Sequence, residues 1–143
     1  MKITQISIFL ENRKGRLFDV CSLLGKKKIN IRALTIADTE EFGILRIVVD
    51  KPAETVKALK EDGFVAHLTE IVAVEVSDQP GGLADILKIL NENDLNVEYM
   101  YGFVERSADK AMLVFRFDDP DKAITILTEN KIKIIGSKDI GGL

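Results

Sequence analysis

Several things are scarce in this sequence, and each scarcity removes a class of protein. There is one cysteine, Cys21, so no disulfide can form within the chain. Positive charge is not in excess: 20 Lys and Arg stand against 23 Asp and Glu, a net charge of −3. The isoelectric point is near 5.3. A protein that tracks a nucleic-acid backbone carries a basic stripe, so no nucleic-acid partner is expected. No apolar run approaches the roughly 18–20 residues needed to cross a bilayer. The first ten residues carry no secretion signal. The expectation is a cytoplasmic protein with no membrane partner. His67 is the only histidine. It has no Ser/Asp or Cys partner in view, and no group of residues has metal-ligand spacing. Neither catalysis, a metal nor a cofactor is expected.

What is present is an ordinary globular composition, 46% hydrophobic and 30% charged, over 143 residues. That length fits one domain or two very small ones. Sliding the chain on itself by 66 residues pairs Gly15 with Gly81, Leu17 with Leu83, Asp19 with Asp85, Leu24 with Leu90 and Asn30 with Asn96. An offset of 68 then pairs Asp50-Lys51-Pro52 with Asp118-Asp119-Pro120. Two residues inserted near Ser107-Ala108, at a hairpin tip, account for the change. The chain is a duplication, with domains expected at 1–69 and 70–143.

Both copies give the same order of elements. Ile6, Ile8 and Leu10, and then Val72, Val74 and Val76, alternate as strands do. Leu17, Val20, Cys21 and Leu24 recur at helical spacing, and Leu83, Ile86, Leu87 and Leu90 reproduce that stripe. Cys21 is therefore expected to pack rather than react. Two strands follow, at 30–38 and 42–50, then at 96–105 and 110–118. Their turns carry Thr39-Glu40-Glu41 and Arg106-Ser107-Ala108-Asp109. Pro52 and Pro120 suit the first turn of a second helix, which Gly63 and Asn130 would end. Last strands are expected at 64–69 and 132–137. The order is βαββαβ twice, which is α+β: two ferredoxin-like units, each an antiparallel sheet with its helices on one face.

Each first strand is joined to its first helix by a short polar loop, LENRKGRL at 10–17 and VSDQPGGL at 76–83. Gly15 and Gly81 supply a permissive backbone for a sharp turn. Asn12 and Asp78 can bond the backbone groups that the turn exposes. Loop closure and capping alone would account for these residues. A second reading starts from the first N–H groups of a helix, which have no internal partner and sit in partial positive charge. A carboxylate can take those donors where the backbone is approachable, and Gly15 and the pair Gly81-Gly82 leave it so. Arg13, Lys14 and Arg16 bias the first loop further towards an anion. Neither loop matches a nucleotide-phosphate glycine pattern.

The two Asn/Asp-x-x-Gly loops, each followed by an Asn-Ile or Asn-Val pair, resemble the ACT domain. The likeness covers the whole chain and is strongest to stand-alone tandem ACT proteins, which are regarded as amino-acid sensors. It implies a small amino acid held by the strand-to-helix loop, with a partner domain contributing the start of its second strand. In the first copy the matching positions are Asn12, Arg13, Lys14, Gly15, Arg16 and Leu17, with Asn30 and Ile31. In the second they are Asp78, Gln79, Pro80, Gly81, Gly82 and Leu83, with Asn96 and Val97. Lys14 departs from the proline that commonly precedes the glycine and that Pro80 supplies, so the first loop is less preorganised. Tyr99 and Tyr101 lie on one side of a strand and could face a ligand or pack at an interface. The expected function is non-catalytic amino-acid binding at ACT domain interfaces, in a homodimer. The alternative is a regulatory or adaptor subunit that associates with a metabolic enzyme and has no ligand of its own.

Overall fold

The computed structural model describes residues 2–38, 41–104 and 110–142. Thr39, Glu40 and 105–109 lie outside the described residues, and so do the second hairpin tip and the proposed insertion at Ser107-Ala108. The chain divides into two compact units, one over Thr4–Thr69 and one over Glu70–Gly142, with Lys2 and Ile3 grouped with the second. Lys2 is tied there by Nζ contacts of 3.1 Å to both Glu70 and Asp121. The hydrogen bonds and charges of these carboxylates, Asp121 foremost, raise the Lys2 pKa.

The first unit comprises β1 (Ile3–Glu11), α1 (Arg16–Lys26), β2 (Ile31–Asp38), β3 (Phe42–Val49) and α2 (Pro52–Glu61), and then enters β4 (Val65–Ser77). β4 continues past Thr69 as the opening strand of the second unit. That unit goes on with α3 (Gly82–Glu92), β5 (Val97–Gly102), β6 (Lys110–Phe117), α4 (Pro120–Glu129), β7 (Ile134–Ile135) and α5 (Ser137–Gly142). In the first unit β3 lies between β2 and β1, with β4 on the far side of β1. In the second, β6 lies between β5 and β4, and β7 pairs with β4. Both sheets therefore have the arrangement expected of a βαββαβ unit. The antiparallel registers correspond as well: Ile8 opposes Leu45, and Val74 opposes Leu113.

Strand alternation sends Ile6, Ile8 and Leu10, with Leu45, Ile47 and Val49, into the first core beside Val20, Leu24 and Leu59. In the second core Val72, Val74 and Val76 meet Phe115, Phe117, Ile86, Leu90 and Leu127. The helical stripe is narrower than its spacing predicts. Val20 and Leu24 are buried and Ile86 and Leu90 nearly so, while Cys21 is only half-buried and Leu17 and Leu87 are exposed. A helix lying on one sheet buries only the residues pointing straight down. Burial still pushes the Cys21 thiol up, which disfavours the thiolate.

The helix ends follow local chemistry. Pro52 and Pro120 occupy the first turns, and Asp119 caps α4 by accepting from the Lys122 N–H at 3.1 Å. Gly63 has a φ of 85° just beyond α2, whereas Asn130 is the C-cap of α4 and the left-handed residue there is Lys131, with a φ of 60°. The strand expected at 132–137 is cut to Ile134–Ile135. The Asp139 carboxylate accepts from the Gly136 N–H at 3.0 Å, and the Asp139 N–H returns a bond of 3.0 Å to the Gly136 carbonyl. This reciprocal cap starts α5 where alternation alone extends the strand.

Leu59 is fully buried in the first core. Leu59→Ala should lower unfolding free energy by about 2–5 kcal/mol in urea titrations, whereas a loss under 1 kcal/mol would contradict this packing.

Candidate ligand-binding site

The end of each opening strand becomes the start of a helix within four residues, and the backbone solves this the same way twice. The Arg13 N–H bonds back to the Glu11 carbonyl at 2.8 Å, and the Gln79 N–H to the Ser77 carbonyl at 3.0 Å. Gly15 and Gly81 then stand as N-caps with φ of 94° and 86°, left-handed values that favour glycine. Their carbonyls accept the first helical bonds, from Asp19 at 2.9 Å and Asp85 at 3.0 Å. The N–H groups of Arg16 and Gly82 turn back to Arg13 and Gln79. Those of Leu17 and Phe18, and of Leu83 and Ala84, meet no acceptor among the described residues. Two open donors per loop at a helix N-terminus are what a carboxylate needs.

The glycine pair of the second loop divides its tasks. Gly81 supplies the left-handed turn, while a Cβ on Gly82 would collide with the Ser77 carbonyl oxygen. Gly82 is buried, so its missing side chain serves the close approach of α3 to β4 rather than an open backbone. Asn12 and Asp78 are exposed, and both take part in interactions. The Asn12 N–H donates to the Glu41 carbonyl at 2.9 Å, tying the first loop to the start of the β3 segment.

Within one unit the loop and the second-strand residues do not meet. Glu11 pairs with Phe42 at one end of the first sheet, and Ile31 pairs with Val49 at the other. Asn12–Leu17 are therefore a strand's length from Asn30 and Ile31. The second unit repeats this: Ser77 pairs with Lys110, and Val97 with Phe117. The backbone of Asn30 is clasped by Asp50, whose Oδ1 accepts the Asn30 N–H at 3.0 Å and whose N–H returns to the Asn30 carbonyl at 3.2 Å. Asn96 and Asp118 form the same clasp at 3.1 and 3.3 Å. These asparagines join the ends of two strands in each copy.

The cations of the first loop are largely engaged. Arg13 Nε lies 2.9 Å from Glu11, and Arg16 Nη1 lies 3.3 Å from Asp19. The Arg16 guanidinium also sits 4.5 Å above the Phe64 ring centroid, a stacked contact that sequence spacing does not reveal. Lys14 is exposed. Tyr99 and Tyr101 stack at 6.5 Å, with Tyr101 buried and Tyr99 half-buried. His67 meets Phe9 edge-to-face at 5.6 Å. Among the described residues no group of His, Cys, Asp or Glu could hold a metal, and no helix is long and apolar enough to cross a membrane.

Two βαββαβ units in tandem, each with a glycine-capped strand-to-helix turn, define a duplicated ferredoxin-like architecture. The family model of the ACT domain pair matches residues 1–143, and the chain belongs to that family. Protein BT0572 from Bacteroides thetaiotaomicron is 38% identical, with a TM-score of 0.94 over 100% of this chain and 98% of that one. The regulatory subunit of aspartate kinase from Thermus thermophilus has the same fold, with a TM-score of 0.63 at 17% identity over 88% of this chain and 91% of that one. The acetolactate synthase small subunit of Buchnera aphidicola is 30% identical over 95 residues. That match covers 65% of this chain and 59% of the small subunit.

Gly15 has open space around its missing Cβ, unlike Gly82. Gly15→Ala should cost about 1–2 kcal/mol, the price of a left-handed alanine, and Gly82→Ala should cost more, because β4 and α3 must separate. Equal losses in denaturant titrations would contradict the Gly82 contact.

Proposed function

We propose that this ACT domain pair is a non-catalytic sensor that binds a small amino acid through its strand-to-helix loops. The observation that carries the reading is the repeated turn, with Gly15 or Gly81 left-handed and two helix N–H donors open behind it. An α-carboxylate satisfies those donors, and the exposed Asn12 and Asp78 stand beside the turn to meet the ammonium group. An amide can accept or donate, while an ionised aspartate only accepts. The second loop is the stronger candidate, because Pro80 restricts the backbone before Gly81 whereas Lys14 leaves it free. In a homodimer, the second-strand residues Asn30, Ile31, Asn96 and Val97 reach a loop from the partner protomer.

One observation favours a second reading, in which the chain associates with an amino-acid-metabolism enzyme and needs no ligand. Among the described residues, eight of the ten exposed large hydrophobics, Phe18 and Phe42 among them, fall in the first unit. Apolar exposure of that kind marks association surfaces, and the partial match to an acetolactate synthase small subunit points the same way.

A thermal-shift screen against the common amino acids separates the two. A true ligand at a hundredfold excess over its Kd should add about 2.7 kcal/mol of stability, seen as a raised Tm. No shift with any amino acid, together with stable co-purification of an enzyme, would favour the adaptor.

A further inference from the structure

The two copies differ in side chains where α1 and α3 begin. In the first unit the Arg16 side chain lies over Phe64 and pairs with Asp19 beside the start of the helix. By the repeat, Gly82 stands in place of Arg16 and Ile132 in place of Phe64. The second unit has a cleft there, bounded by Gly82 and lined by Glu75, Asp85, Lys110, Lys131 and Lys133. The first copy has Phe42, Gly63 and Val65 where these three lysines stand.

Three separate segments converge on the cleft. Lys110 opens β6 directly opposite Ser77. Lys131 and Lys133 flank the turn from α4 towards β7, and the Lys133 carbonyl accepts the Glu75 N–H at 3.0 Å, which fixes that turn to β4. Lys133 Nζ lies 3.8 Å from Glu75, while Lys110 and Lys131 have no ion pair among the described residues. Three ammonium groups against two carboxylates leave one net positive charge. Burying a carboxylate side chain beside a cation restores the balance.

We propose that the amino acid held at the start of α3 is dicarboxylic, with Lys110 and Lys131 of this cleft taking its side-chain carboxylate. The inference rests on the reading of the chain as an amino-acid sensor and adds the ligand class and the unit that holds it. The cleft beside Arg16 in the first unit is lined by Asp19, Asp62 and Phe64 and has no counterpart of the three lysines, so it does not share this preference.

Isothermal titration of the full chain with L-aspartate and L-glutamate, against L-asparagine, L-glutamine and inorganic phosphate, tests this. The dicarboxylates should bind at least tenfold more tightly than their amides and than phosphate, and more weakly as salt rises. The double variant Lys110→Gln/Lys131→Gln removes the two proposed carboxylate ligands, neither of which lies in a core. It should lose at least tenfold in affinity, while Lys88→Gln, exposed on α3, should lose none. Amides binding equally well, phosphate binding as tightly, or full affinity in the double variant would each overturn the assignment. A neutral amino acid that binds while neither dicarboxylate does would overturn this inference and leave the sensor reading standing. The absence of any amino-acid binding would overturn both.

Discussion

The rest of the molecule depends on a backbone constraint at the strand-to-helix turn. A strand that ends at Glu11 or Ser77 must start a helix within a few residues, and a left-handed residue, which glycine adopts without strain, allows this. Gly15 and Gly81 meet that requirement with nearly the same φ. Once they are set, the first helical bonds to Asp19 and Asp85 follow, and α1 and α3 descend over their sheets to bury Val20 and Leu24, or Ile86 and Leu90. The same turn leaves donors open at the helix start. Structure and candidate chemistry share one origin there, which is why either reading accounts for the glycines.

Because the turn is fixed by backbone bonds, the side chains around it can diverge without disturbing the fold. The clasps of Asn30 with Asp50 and of Asn96 with Asp118 are almost identical in the two copies. The residues beside the turn are not. Position 16 carries an arginine whose Nε is buried over an aromatic ring, and its counterpart, Gly82, touches the Ser77 carbonyl. An arginine stacked on Phe64 is held by a cation–π contact of roughly 0.5–2 kcal/mol. That suffices to keep the side chain in place, since each exposed ion pair contributes less.

How far the sequence could be read follows from the range of each interaction. Alternation at 6, 8 and 10 and at 72, 74 and 76, and the prolines at 52 and 120, report local geometry, so the order of strands and helices was legible. The reciprocal cap between Gly136 and Asp139 is also local, yet the alternating Ile132, Ile134 and Ile135 hid it behind a strand signal. The exposure of Leu17 and Leu87 was not legible, because helical spacing shows which residues share a face but not how wide a strip the sheet covers. The loops were found by repetition, yet the role of Gly82 depends on the path of β4. The cleft joins residues near 75, 110 and 131, and no spacing in a single sequence brings those three together.

Duplication usually leaves two equal sites, and two equal sites respond together. Here the frame is duplicated while the three lysines beside the second helix start are not, which makes one dicarboxylate per chain the natural stoichiometry of the proposed sensor. A non-catalytic sensor acts only by favouring one conformational or associated state over another, by no more than the ligand's differential affinity for the two. Coupling of that kind is reciprocal: any partner that prefers the liganded state must itself tighten ligand binding. An open cleft in the second unit and exposed apolar residues on the first would assign the two halves of that exchange to different copies. On this view the loss of symmetry around Arg16 and Gly82 is what lets a duplicated binding fold join a chemical input to an association output.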